Sequence, residues 1–169
     1  MLILFRLIHI LAGAFWVGTA IFTVLFLLPT VRALGPGAGP VMQQMTQVRK
    51  LPLWFLGASV LTVLSGIGLY SRASGGFSNQ WMHSGPGRTF GIGAAFAILA
   101  VIVGMGVTSP TAKRVAALGQ SMASAGKPPT PDQQAEMGRL QAKLGKASVL
   151  ATALVVCATI AMAVARYIP

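Results

Sequence analysis

The stretch LILFRLIHILAGAFWVGTAIFTVLFLL, Leu2 to Leu28, decides the fold. It is longer than the roughly 18 to 20 apolar residues that cross about 30 Å of hydrocarbon at 1.5 Å per residue. It holds no Asp or Glu, and its only imidazole is His9. Three more runs, Leu53 to Tyr70, Phe90 to Val107 and Ser148 to Val164, are also free of carboxylates and close to a bilayer in length. The sequence therefore predicts an all-α integral membrane protein, a four-transmembrane-helix bundle forming one membrane domain over residues 1–169. Composition agrees. Hydrophobic residues make up 54% and charged residues 9%, where a soluble domain carries about 25% charged.

The first run differs from a secretory signal. Its apolar core far exceeds the roughly 7 to 15 residues of a signal, and no small-residue cleavage site follows. Cys157 is the only cysteine, which rules out an intramolecular disulfide or a cysteine metal cluster; a buried packing role is expected for it.

The net charge of +11 suggests nucleic acid until its distribution is read. With alternating helices, Arg32, Arg49, Lys50, Lys113, Arg114, Lys127, Arg139, Lys143 and Lys146 share one side, and Arg6, Arg72, Arg88 and Arg166 the other. The positive-inside rule puts the richer side in the cytoplasm of a bacterial inner membrane and both termini outside. Anionic lipid of the cytoplasmic leaflet is then the expected partner, and nucleic acid is not.

Between the spans, Gly35-Pro36-Gly37-Ala38-Gly39-Pro40 is a breaker cluster expected to form no regular structure. A short amphipathic segment through Val41, Met45 and Val48 follows it. The outside loop, Ser71 to Gly87, carries Phe77, Trp81 and Met82 as interfacial anchors. Residues 109–146 predict a cytoplasmic helical hairpin, with Val115, Leu118 and Met122 on one helical face and Met137, Leu140 and Leu144 on the other. Thr130-Pro131-Asp132-Gln133 is a helix start: Thr130 caps, Gln133 reaches back, and Asp132 suits the positive end of the dipole. Small residues four apart (Ala14 and Gly18, Gly91 and Ala95, Ala100 and Gly104, then Ala153, Cys157, Ala161 and Ala165) predict close helix packing, since lipid supplies no hydrophobic drive between helices.

His9 is the sharpest site candidate. A polar ring inside a span is costly unless it finds a partner, so it should face the bundle interior or the outer interface. Gly13, Trp16 and Ala20 fall near the same face. The topology also places His83 outside, so the two histidines are candidate ligands of a b-type haem, and His9, His83 and Met82 or Met1 of a copper ion. Arg6 and Arg88 lie near the outer boundary, where they could bind haem propionates, and Trp16 completes the candidate cofactor set. A quinone site using His9, Trp16 and Arg6 or Arg88 is a further reading. Tyr70, Arg72, Arg166 and Tyr167 read as helix-end anchors.

No catalytic residue is assigned. Asp132 and Glu136 are the only side-chain carboxylates and both lie in the hairpin, so the carboxylates that usually support proton-coupled transport or intramembrane hydrolysis are missing from the spans. No phosphate loop, zinc spacing or nucleophile elbow occurs.

The segment His9-Ile-Leu-Ala-Gly-Ala-Phe-Trp16-Val-Gly18 resembles the opening helix of the copper-resistance D (CopD) type of small bacterial membrane proteins. The ending Met162-Ala-Val-Ala-Arg166-Tyr167 is similar to that of related four-helix proteins. The resemblance implies copper handling or haem association on the extracytoplasmic side, carried onto His9. This chain departs from it in having no histidine in its later spans. Two functions are thus expected: a haem b or copper site centred on His9, or a non-catalytic accessory or assembly subunit of a larger membrane complex or homo-oligomer.

Overall fold

The computed structural model describes residues 1–169 except for the side chain of Pro36. The helices are α1 (Leu2–Leu34), α2 (residues 39–48), α3 (Leu51–Ala73), the single turn α4 (Asn79–Met82), α5 (Gly85–Ser124) and α6 (Pro131–Tyr167). No strand occurs among the described residues. Helices α1, α3, α5 and α6 are long and apolar enough to cross a membrane, and the molecule is a membrane helical bundle. Both termini, Arg6, Arg72, Arg88 and Arg166 lie at one end, the terminal face. The other nine cations lie at the opposite, basic face.

Two helices run well past their apolar stretches, through prolines that would ordinarily stop them. Pro29 and Pro110 each follow a wide turn with i to i+5 hydrogen bonding, at Thr23–Leu27 and Gly104–Thr108. A proline lacks an N–H and its ring crowds the carbonyl four residues back; the wider turn accommodates both. The expected hairpin is therefore built from extensions of α5 and α6. The breaker cluster is also helical, contrary to expectation. Gly35–Ala38 forms a tight 3-10 turn, and Pro40 sits in the first turn of α2, where its missing N–H has no intrahelical partner to lose.

The bundle is two tight pairs, α1 with α3 and α5 with α6, joined by a lighter α1–α6 contact and a sparse α3–α5 contact. Each spanning helix gives one residue to the central buried layer: Trp16, Ala58, Ala100 and Val155. Close approach of α5 to α6 depends on Gly93, where a Cβ would come within 3.1 Å of Met162 Cε and 3.3 Å of the Ala158 carbonyl. The other expected small-residue faces are used in part: Ala165 is buried and Ala161 Cβ would lie 3.2 Å from a Cβ on Gly93, whereas Ala14 and Ala153 border open spaces between helices. Ala14, Gly18, Ala153 and Cys157 are exposed: the inward residues of α1 are Trp16 and Ala20, and those of α6 include Ser148, Val155, Ala158 and Ala165. Cys157 precedes Ala158 and so lies about 100° round the helix from it; it does not fill the buried packing role expected from sequence.

The start of α6 forms as the sequence predicts. Gln133 N donates to Thr130 Oγ1 at 3.2 Å, and Thr130 N donates to Gln133 Oε1 at 3.0 Å. Leu140 is buried, and the α5 extension packs against α6. Thr130→Ala is expected to cost about 1 kcal/mol, seen as a lower melting temperature by circular dichroism in detergent, while Ser121→Ala in the same hairpin leaves the melt unchanged. The one ion pair among the described residues, Arg139 to Glu136 at 2.8 Å, is exposed. Its guanidinium holds the Glu136 carboxyl below its ordinary range, but a solvated pair of this kind adds little stability.

Candidate site in the terminal face cavity

His9 sits in the terminal half of α1 with its ring against α3. Its Nδ1 lies 2.8 Å from the Thr62 carbonyl oxygen. A carbonyl can only accept, so Nδ1 carries the proton and donates. Thr62 and Ser65 are both buried. Their hydroxyls donate to the Ala58 and Leu61 carbonyls of their own helix, and Ser65 Oγ, 3.4 Å from Nδ1, is a second and longer acceptor for its N–H. Gly66 makes room for the ring: a Cβ there would stand 2.9 Å from His9 Cε1 and 3.2 Å from Nδ1, closer than real contacts allow.

The other ring nitrogen, Nε2, makes no hydrogen bond, and no buried side-chain nitrogen lacks a partner among the described residues. Nε2 is therefore not fully enclosed, and the His9 side chain is among those that line an adjoining space. In the tautomer that carries its proton on Nδ1, Nε2 is the nitrogen with the lone pair.

That space is a cavity of about 1590 Å³ between the two helix pairs at the terminal face. It exists because α3 and α5 touch only sparsely. Its walls are mostly apolar, with Trp16 deep and Val155, Ala158 and Ile98 opposite His9. Towards the mouth an aromatic group forms one wall: Tyr70 meets Trp81 edge-on at 5.2 Å, and Trp81 stacks on Phe90 at 6.5 Å. Phe77, also lining the cavity, adopts a positive φ of 65°. An L side chain pays for that conformation, which is held here by Phe77 N donating to Ser74 Oγ at 2.8 Å. Arg6, Arg72 and Arg166 reach the cavity from three different helices, and no acidic side chain lines it. The mouth therefore carries an excess of positive charge.

The residues proposed from sequence divide clearly. His9, Trp16 and Arg6 line one cavity, whereas His83, Met82 and Arg88 do not. The two histidines are not brought together in it. His83 is exposed and its Nδ1 donates to the Asn79 carbonyl at 2.8 Å, a local bond within α4 and its cap. No group of three His, Cys, Asp or Glu side chains able to hold a metal ion occurs among the described residues. Sequence reading missed Thr62 and Gly66, and it took Arg72 and Arg166 for simple anchors. A signal for the first two was present in the spacing Thr62, Ser65, Gly66, a polar and small stripe inside an apolar span. No family model, curated protein or solved structure matches the chain.

Proposed function

We propose that this protein binds a haem b in the terminal face cavity, with His9 as its one axial ligand, and that the terminal face is extracytoplasmic. The observation that carries this reading is the His9 ring: a side chain lining the cavity, with Nδ1–H tied to the Thr62 carbonyl at 2.8 Å and no hydrogen bond at Nε2. A hydrogen bond at the distal ring nitrogen fixes the tautomer and orientation of a ligating histidine. The walls suit a flat apolar ring, and Arg6, Arg72 and Arg166 suit two carboxylates through charge-assisted hydrogen bonds. A copper ion would find in His9 a single strong ligand, too few for a stable site. When bound, the haem would supply one-electron redox chemistry or an open iron coordination position. The protein would supply the imidazole, the guanidiniums and exclusion of water. The excess of cations on the basic face supports the orientation.

The test is titration of the purified full-length protein with haem and, separately, with Cu(I). A Soret band saturating at one haem per chain, with no stoichiometric copper retained after desalting, is expected. Copper retention without a Soret band would overturn the reading.

A second reading, a subunit that docks with another membrane protein or with its own copies, is favoured by the exposed small residues Gly18 on α1 and Cys157 on α6. Such faces commonly serve close helix approach in lipid. A defined stoichiometric partner on co-purification in mild detergent supports it; a monodisperse monomer carrying haem removes it.

A further inference from the structure

A second candidate site lies at the basic face, where α1 crosses α6. The guanidinium of Arg32 rests directly on Gly145, so close that a Cβ at that position would collide with Nη2. Gly145 is itself buried. Arg32 makes no hydrogen bond or ion pair among the described residues. Lys146 and Gln141 flank it, and a groove of about 820 Å³ continues from this polar end along Leu28, Val24 and Ala153.

Depth along the helix identifies the occupant. Arg6 and Arg32 are 26 residues apart on α1, about 39 Å by the helical rise. That matches the roughly 40 to 45 Å between the outer limits of the two headgroup layers. With Arg6 at one headgroup layer, Arg32 is at the other, and the Leu28 and Val24 side of the groove enters the acyl region. A groove with two cations at headgroup depth and an apolar floor below is complementary to an amphiphile with an anionic head. The basic face has nine cations and only two side-chain carboxylates, and one of these is occupied by Arg139.

We propose that the Arg32 and Gly145 groove is a specific site for an anionic phospholipid, its phosphate bound by Arg32 and Lys146 and one acyl chain laid between α1 and α6. This differs from diffuse attraction of a basic surface, because the glycine makes the guanidinium part of a shaped recess.

The experiment is native mass spectrometry of the full-length protein in detergent, titrated with phosphatidylglycerol, phosphatidylcholine or inorganic phosphate. Preferential retention of phosphatidylglycerol is expected. Arg32→Gln should weaken it about tenfold, the loss of one charge-assisted hydrogen bond, while Lys113→Gln on the same face changes it less than about twofold. Gly145→Leu should match Arg32→Gln by expelling the guanidinium; if that variant fails size-exclusion chromatography, Arg32→Gln alone decides. Equal losses in Arg32→Gln and Lys113→Gln, equal retention of phosphatidylcholine, or displacement of the lipid by inorganic phosphate would each overturn the proposal.

Discussion

Replacing His9 with alanine is expected to lower haem affinity by at least about a hundredfold, the scale on which losing the axial bond and stranding its partner operates. The chain should still fold, because the imidazole is only partly buried and its partner, the Thr62 carbonyl, already belongs to α3. Gly66→Ala should weaken binding by another route. Its methyl would occupy the space of Cε1 at 2.9 Å, turn the ring and break the Nδ1 bond while leaving the ligating atom present. Haem titrations followed at the Soret band, with circular dichroism to confirm helix content, measure both. Unchanged affinity in His9→Ala would mean that the arginines and apolar walls hold the ligand alone.

Gly87→Val should have the largest structural effect. Gly87 is buried, and a Cβ there would collide with the Trp81 carbonyl and come within 3.0 Å of Met82 Cα. These are backbone atoms, which cannot swing aside as a side-chain tip can. The same residue is tied in twice more: its N–H donates to Ser84 Oγ at 3.2 Å, and its carbonyl accepts from the Tyr70 hydroxyl at 3.1 Å. Any side chain must lift α4 from α5 and dismantle the aromatic wall, a cost of about 3 kcal/mol on the scale of overpacked cores. Limited trypsin digestion should then cut rapidly after Arg72 and Arg88 in Gly87→Val and slowly in the parent. Equal resistance of the two proteins would show that α4 does not pack closely on α5.

The spans could be read from sequence because lipid tolerates few charges, and the four runs announce themselves by length alone. The Thr130 cap was legible because its signal is local, complete within four residues. Continuation of α1 and α5 was not, since Pro29 and Pro110 conventionally end helices and the wide turns that accommodate them have no residue signature. The inward face of α6 was legible only in part, with Ala161 and Ala165 inward and Cys157 not, because small residues recur on more than one side of it and only tertiary contact separates Ala158 from Cys157. At the site, His9 stood out as the one imidazole in a span. Its partner did not, because a backbone carbonyl such as that of Thr62 is present at every position. His83 lies outside the cavity that His9 lines, and its Nδ1 is taken by the Asn79 carbonyl four residues back. Arg72 and Arg166 joined Arg6 only through the meeting of three helix ends.

In the proposed haem site, Nε2 of His9 is the atom offered to the iron. Resonance Raman spectroscopy of the ferrous haem-loaded protein examines that atom directly. The parent protein should show an iron–histidine stretching band that disappears in His9→Gly and returns when free imidazole fills the vacated space. The same band persisting in His9→Gly without imidazole would contradict that assignment.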